Sequence, residues 1–337
     1  MINKIYDKTL KFIKETYKSL IVIIIILLLF LVELPYAIYT PGGKVDLSKR
    51  VTVEGGYETK GELDMAYVSM VRSSIPYILL SYVIPNWDLK KVSDVTYDNM
   101  TMDETIEIDK IAMQEGINNA IISAYKEANK EVKIKDEKLK VMYVDKDSKS
   151  NLNIGDEILT INDIKVRNID EIKEIIKDKN IKNELTVKIK RNNKTKIVKS
   201  KLIKLDNEIK LGIATTTLYD LETNPKVSVK TKSSESGSSG GLMTSLAIYN
   251  SLVRQDITNG DIIIGTGTID ENGNVGEIDG IKYKLLGASK KKAKIFLCPQ
   301  ENYKEAIKVK KDNNLKIEVV KVKTLNDAIS YLEGRIK

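Results

Sequence analysis

The sequence predicts an α+β protein: a single N-terminal transmembrane helix, then an external body in which short strands and helices alternate. Three observations carry that expectation. The chain has 337 residues, which at roughly 150 residues per domain leaves room for about two globular units with real cores. Leu20 to Val32 is unbroken hydrocarbon. Beyond it, apolar residues recur at three- and four-residue spacing in some segments and at alternate positions in others. Composition narrows the chemistry. There is no histidine, which excludes a Ser-His-Asp triad, a Cys-His pair and a His-ligated zinc site. The single cysteine, Cys298, allows neither an intrachain disulfide nor a CxxC motif. Acid–base work must come from Lys, Asp, Glu, Tyr or the backbone. The net charge of +8 is mostly lysine interleaved with Asp and Glu, as in IKDEKLKVMYVDKDSK, so the footprint of a nucleic-acid binder is missing.

Residues 1–19 form a basic segment with Lys4, Lys8, Lys11, Lys14 and Lys18. Residues 20–38 continue the hydrocarbon run through Pro35 and Tyr36 and approach the ~20 residues that a bilayer core requires. The leading segment is long and amphipathic and no A-x-A-like site follows, so an uncleaved anchor is expected. Lysines ahead of the span keep the N-terminus cytoplasmic and send the chain from residue ~40 outside. The expectation is a single-pass protein with the bilayer as one partner and an extracytoplasmic body.

Residues 40–130 open with a TPGG turn (Thr40 to Gly43) and strands broken by Gly55-Gly56. The helix DETIEIDKIAMQEGINNAIISAYKEANKE follows, with Ile106, Met113, Ile117, Ala120, Ile121 and Ala124 as its core-facing stripe. Residues 131–205 switch to short strands around one helix, DEIKEIIKDK. In NIGDEILTINDIKV, Gly155-Asp156 turns the chain into a strand whose Ile158 and Ile161 face a core, and Asn162-Asp163 makes the next turn. LTVKIKRNNKTKIVKSKLI is a hairpin turning at Arg191-Asn192-Asn193.

Residues 206–337 carry the chemistry. KTKSSESGSSGG has a linker's composition, but a strand (Val227 to Val229) precedes it and an apolar helix (Leu242, Leu246, Ile248, Tyr249, Leu252) follows at once. A Gly-rich turn feeding a helix N-terminus presents backbone N–H groups and a favourable dipole to an oxyanion or phosphate. It lacks GxxxxGK[ST], so it is not a P-loop. A serine of this turn can serve as a nucleophile if lysine replaces the absent histidine as base. Downstream, in GTGTIDENGNVGEIDGIKYKLLGASKKKAKIFLCP, most lysines decorate the surface. Lys284 differs: it opens an apolar helical face (Leu285, Ala288) just after Gly280, where burial lowers an amine's pKa. Cys298 reads as a buried strand residue, with no cationic neighbour to activate it.

NIGDEILTINDIKV, with the order of strands and helix around it, resembles a PDZ domain, which implies peptide binding by strand addition at a sheet edge. No G-L-G-F-like run stands near Asp136 to Lys138. GSSGGLMTSLAIYN resembles the G-x-S-x-G nucleophile motif of the Lon proteolytic domain, and GTGTID…GEIDGIKYKLLGA resembles the segment that carries its lysine. Together the chain is similar to the membrane-anchored, PDZ-containing Lon-like serine proteases of low-GC Gram-positive bacteria. The resemblance implies Ser239 as nucleophile and Lys284 as base; Lys282, the first lysine of GIKYK, is expected to face solvent. It implies Thr266 as the threonine that orients the lysine, and Gly237, Ser238 and Gly240 as supporting turn residues, Gly240 standing where the family often has Ala. It implies no cofactor and no metal, peptide or protein substrates cleaved without ATP, and a family in which oligomeric rings occur. KGELDMAYVSM and the helix ending IISAYKEA resemble the opening of the Lon fold, which implies that the PDZ-like segment is inserted into the protease domain. The main competing reading is an inactive membrane-tethered PDZ scaffold; a second is a structural envelope protein in which SSESGSSGG is merely a linker.

Overall fold

A computed structural model describes residues 2–97, 100–177, 183–205 and 208–336. The chain divides into two units, residues 1–41 with 68–99 and residues 42–67 with 100–337. The first contains helix α1 (Ile2–Leu31) and the opening of strand β1 (Glu33–Asp46). After β2 (Val51–Val53), which belongs to the second unit, it takes up the end of β3 (Glu62–Ser74), then α2 (Ile75–Ser81) and β4 (Asp88–Lys91). β4 pairs antiparallel with β1 from Tyr36↔Lys91 to Tyr39↔Asp88.

The expected transmembrane helix is not borne out: among the described residues, no helix is long and apolar enough to cross a membrane. The apolar run was counted through residue 38, but the helix ends at Leu31 and the chain is extended from Glu33. Pro35, which lacks an N–H, sits in the strand. Within α1 the apolar part, Leu20 to Leu31, spans about 18 Å at ~1.5 Å per residue, short of the ~30 Å hydrocarbon core. The turns before it carry Lys8, Lys11, Lys14, Glu15 and Lys18; the side chain of Lys4 and the whole of Met1 lie outside the described residues. The placement built on that anchor falls with it: a membrane location, a cytoplasmic N-terminus, an extracytoplasmic body and the bilayer as partner.

In the second unit the long helix α3 (Met102–Glu127) starts at a capping box, in which Thr101 accepts from the Glu104 N–H and the Glu104 carboxylate accepts from Thr101. Its buried face runs through Ile108, Ile111, Gly116, Ala120 and Ala124. The expected stripe is thus right at Ala120, Ile121 and Ala124, but Ile106, Met113 and Ile117 are only half-buried. The TPGG segment is not a turn: it runs extended inside β1. A Cβ on Gly42 would collide with the Tyr67 carbonyl, so this glycine serves close approach, not chain reversal.

An antiparallel sheet follows, made of β5 (Glu131–Val144), β6 (Glu157–Ile161), β7 (Ile164–Lys165), β8 (Glu184–Arg191), β9 (Lys194–Lys201) and β12 (Ile213–Asn224), with helix α4 (Ile169–Lys177) between β7 and β8 in sequence and the separate antiparallel pair β10 (Ile203–Leu205) and β11 (Glu208–Lys210) before β12. The strand order is β12-β5-β6-β8-β9, with β7 on β6. Asn162-Asp163 (φ 48 and 66) and Asn192-Asn193 (φ 50 and 59) make the two tight hairpins, where paired positive φ matches the strand twist. Ile158 and Ile161 are buried in this sheet's own core, as expected, with Leu139, Leu185 and Ile189. Asp156 is buried and paired with Arg191 through bonds of 2.7 and 2.6 Å. The helix expected over DEIKEIIKDK ends at Lys177; its last two residues, Asp178 and Lys179, and Asp206 at the expected domain boundary lie outside the described residues. The sheet runs past residue 205, because β12 is one of its strands.

The remaining elements are β13 (Val227–Val229), α5 (Gly241–Leu252), β14 (Ile262–Gly265), β15 (Thr268–Ile269), β16 (Val275–Gly276), α6 (Ile281–Lys290), β17 (Ile295–Pro299), α7 (Tyr303–Asp312), β18 (Glu318–Val322) and α8 (Leu325–Glu333). β3, β14, β17 and β18 form a parallel array in that order. Side chains alternate across it. Leu63, Ile263, Ile295 and Leu297 pack under α3, α5 and α8, while Ala66, Ile264, Phe296 and Cys298 pack under α6 and α7. Burial on both faces is why IFLCP and IIIG are continuously apolar where a half-exposed strand would alternate.

Candidate active site

The turn ahead of α5 is held from three sides. Gly237 has φ +93, a conformation only glycine adopts without strain, and its N–H donates to the Asp109 carbonyl of α3 at 2.8 Å. The Ser239 carbonyl accepts from the Gly267 N–H (2.8 Å) and from the Thr266 hydroxyl (3.0 Å), and Leu242 N–H donates back to Gly267 O at 3.1 Å. On the helix side, the Gly240 carbonyl accepts both the N–H (3.0 Å) and the hydroxyl (2.9 Å) of Thr244. The backbone is packed closely at the helix start: a Cβ on Gly241 would sit 2.8 Å from Ile269 Cγ2 and 3.1 Å from its backbone N, whereas one on Gly240 would meet only the flexible Met65 side chain, at 2.5 Å from Sδ. Ser238 packs on Gly116 of α3, where an added Cβ would meet its Cα at 3.5 Å.

Among the described residues, the N–H groups of Ser239 and Gly240 make no hydrogen bond. They stand at the N-terminus of a 12-residue helix, where orphan donors and the helix dipole favour a negative oxygen. That is the arrangement a tetrahedral oxyanion requires.

Lys284 lies in α6, which starts after the left-handed Gly280 (φ 73). Its neighbours Ile281, Tyr283 and Leu285 are buried, and Lys284 itself is 4% exposed. Burial pulls its pKa down from 10.5 to about 8, opposed by the negative charge of Asp279. It forms no ion pair among the described residues. Lys282, expected to face solvent, is half-buried, its ammonium 5.4 Å from the centroid of the Tyr283 ring. Cys298 is buried as read from the sequence, and burial pushes its thiol up to about 12, which makes it inert.

The structure therefore joins Ser239 and Thr266 directly and hydrogen-bonds Lys284 to neither. Thr266, expected to orient the lysine, donates to the Ser239 carbonyl, and its oxygen keeps lone pairs that can accept from an ammonium. The sequence singles out only the apolar stripe of α3 and gives no sign of the part played by Asp109, Gly116 and Asn119, the last of which donates to Ile269 O at 3.1 Å. Sequence reasoning also missed Met65 and the strand β12. The run Leu211-Gly212-Ile213, with Gly212 at φ +68, was a visible signal: a glycine between apolar residues at a strand start.

The fold and site thus define a three-layer α/β domain with a serine-bearing turn at a helix N-terminus and a buried lysine on the next helix. Residues 227–333, which contain Ser239, Thr266 and Lys284, match the Lon protease (S16) C-terminal proteolytic domain family. That match supports a serine peptidase of Lon type for this part of the chain. Among solved structures, the PDZ domain of the SdrC-like protein from Listeria innocua is similar at 24% identity over 23% of this chain and 92% of that one, with a TM-score of 0.22. The PDZ domain of the SdrC-like protein from Listeria monocytogenes is similar at 23% identity over 25% and 92%, with a TM-score of 0.23. No curated protein matches the chain.

Proposed function

We propose that the chain is a serine endopeptidase working through a Ser239–Lys284 dyad without nucleotide, metal or other cofactor. The observation that carries this reading is the buried amine of Lys284, held near a pKa of about 8 within the segment that matches a peptidase family. Neutral Lys284 takes the proton of Ser239 as Oγ attacks the peptide carbonyl carbon. The N–H groups of Ser239 and Gly240 bind the oxyanion; one such donor is worth roughly 3 kcal/mol. The resulting ammonium gives its proton to the leaving amine and the C–N bond breaks; water then attacks the acyl-enzyme with Lys284 again as base, the acyl–Oγ bond breaks, and the ammonium returns a proton to Ser239 Oγ. Thr266 fixes the Ser239 backbone and offers a lone pair to the ammonium. The lysine closes on Oγ in the substrate complex, where catalytic hydrogen bonds tighten.

Of the span 40–130, residues 42–67 and 100–130 belong to the same unit as 206–337, and these parts are read as one protease domain into which 131–205 is inserted as a PDZ-like domain. The shared core supports this: Ala120, Ile121 and Tyr125 before the insertion pack with Leu242, Leu246 and Ile263 after it. Peptides are read as adding to the free edge of β12, the outer strand of that sheet. The side chain of Asn118 bonds both the N–H (2.8 Å) and the carbonyl (3.0 Å) of Tyr219, so that residue's polar groups point away from β5. Thr215 and Thr217 share its parity in an unshifted register, leaving their groups for an added strand. The buried hydroxyl of Thr215 lacks a partner among the described residues.

The test is cleavage of casein or an unstructured fluorogenic peptide by the purified chain, with and without ATP. Cleavage independent of ATP and lost in Ser239→Ala is the expected result. No cleavage by the wild type points to a PDZ-like scaffold, and equal cleavage by Ser239→Ala moves the nucleophile to Ser238.

A further inference from the structure

The loop from Lys230 to Ser238, which delivers Ser239 to its place, has no regular structure. Its far end is tied to the segment before β3. The β2–β13 ladder pairs Val51 with Val229, and the Lys230 N–H carries it one step further to the Arg50 carbonyl at 2.9 Å. Arg50 then reaches around the turn: its guanidinium meets the Glu235 carboxylate at 2.7 Å, with side chains 15% and 21% exposed. The other carboxylate oxygen of Glu235 accepts the Lys232 N–H at 2.9 Å, and the Glu235 N–H donates to Lys232 O at 3.0 Å. One residue thus closes the turn on itself and fastens it to Arg50. Two positions later Gly237 is fixed to Asp109, and Ser239 follows.

We propose that Arg50 and Glu235 are positioning residues for Ser239: their ion pair latches the 230–238 loop so that the nucleophile turn is held ready, and its loss lets the serine wander from the attack geometry. Neither side chain touches substrate. The proposal rests on Ser239 as nucleophile. Small displacements matter because a misplacement of about 1 Å can cost on the order of a hundredfold in rate, and a half-buried guanidinium–carboxylate pair is stronger than an exposed one.

The experiment compares Arg50→Met, Glu235→Gln, the double variant and Arg50→Lys in the full chain. The first two are expected to lower kcat/KM for an unstructured peptide about tenfold through kcat, with KM and the pH profile unchanged. The double variant should be no worse than either single one, because the two act as a unit, and Arg50→Lys should regain part of the loss. In a Ser239→Ala background, which removes self-cleavage, trypsin should cut after Lys230 or Lys232 several-fold faster in the unlatched variants. Full activity in both single variants, multiplying losses in the double, or unchanged trypsin cleavage each overturns the latch. An inactive wild type with faster trypsin cleavage in the variants refutes the peptidase reading, and with it a positioning role, while leaving the loop contact demonstrated.

Discussion

Lys284 is a buried amine, and the burial that favours its neutral form costs the fold stability. Its pKa in the folded chain, about 8, lies below the ordinary 10.5, so the unfolded chain holds the extra proton between those values. Stability therefore rises with pH through that window, and below about pH 8 the full penalty applies, roughly 3 kcal/mol at ~1.4 kcal/mol per unit. Lys284→Met, similar in length and uncharged, should unfold at a higher urea concentration than wild type at pH 7, by roughly that energy, while losing peptidase activity. A variant no more stable than wild type would mean that the amine is better solvated than its burial indicates. This residue was legible in the sequence because its apolar helical neighbours, just after a glycine, carry the lysine into the core with them. The contacts that hold Ser239 were not. Asp109 and Met65 are remote in sequence from the turn they support, and a carbonyl or a thioether leaves no pattern in a sequence; Thr266 was named, but not its bond to the Ser239 carbonyl.

At the level of elements, the site depends on how closely α6 and α5 approach their strands. A Cβ on Gly287 would lie 2.9 Å from Gly42 C and O and 3.1 Å from Gly43 N, all backbone, so Gly287→Ala forces α6 outward. It should cost about 1–3 kcal/mol and lower kcat, since the same helix carries Lys284. Gly240→Ala meets only the flexible Met65 side chain and should cost under about 1.5 kcal/mol with activity retained. Thermal unfolding and peptide cleavage on both variants check the contrast; equal damage at the two positions would contradict it. The helices of the candidate site and the buried strand IFLCP were legible from periodicity and apolar runs. TPGG was misread because its glycines signal a turn in isolation, whereas their reason is the nearness of Tyr67 and α6, visible only once the chain is folded.

For the molecule as a whole, the inserted arrangement is testable at the cross-strand pair Ile134↔Leu221. Joining those residues through a two-residue turn should leave a folded remainder that still cleaves casein, because Val132 and Leu221 pack on the larger core and the removed sheet has its own. An unfolded or aggregated product would mean that the two cores are one folding unit. The order of short strands and one helix in residues 131–205 was legible from its turns, Gly155-Asp156, Asn162-Asp163 and Asn192-Asn193, where positive φ demands particular residues. Its last strand was not, because β12 lies beyond the hairpin at which the pattern of short strands was taken to end. The N-terminal helix was overextended for a related reason: ELPYAI continues the apolar composition of the run before it, and composition alone does not separate a helix from a strand.

The dyad is the central claim, and the pH dependence of kcat/KM for an unstructured peptide, measured without nucleotide from about pH 6 to pH 10, tests it most directly. Wild type should rise with a single ionisation near pH 8 to an alkaline plateau, with Ser239→Ala and Lys284→Ala inactive yet folded. A flat wild-type profile, with chemistry rate-limiting, or a Lys284→Ala variant that keeps its activity, would contradict Lys284 as the base.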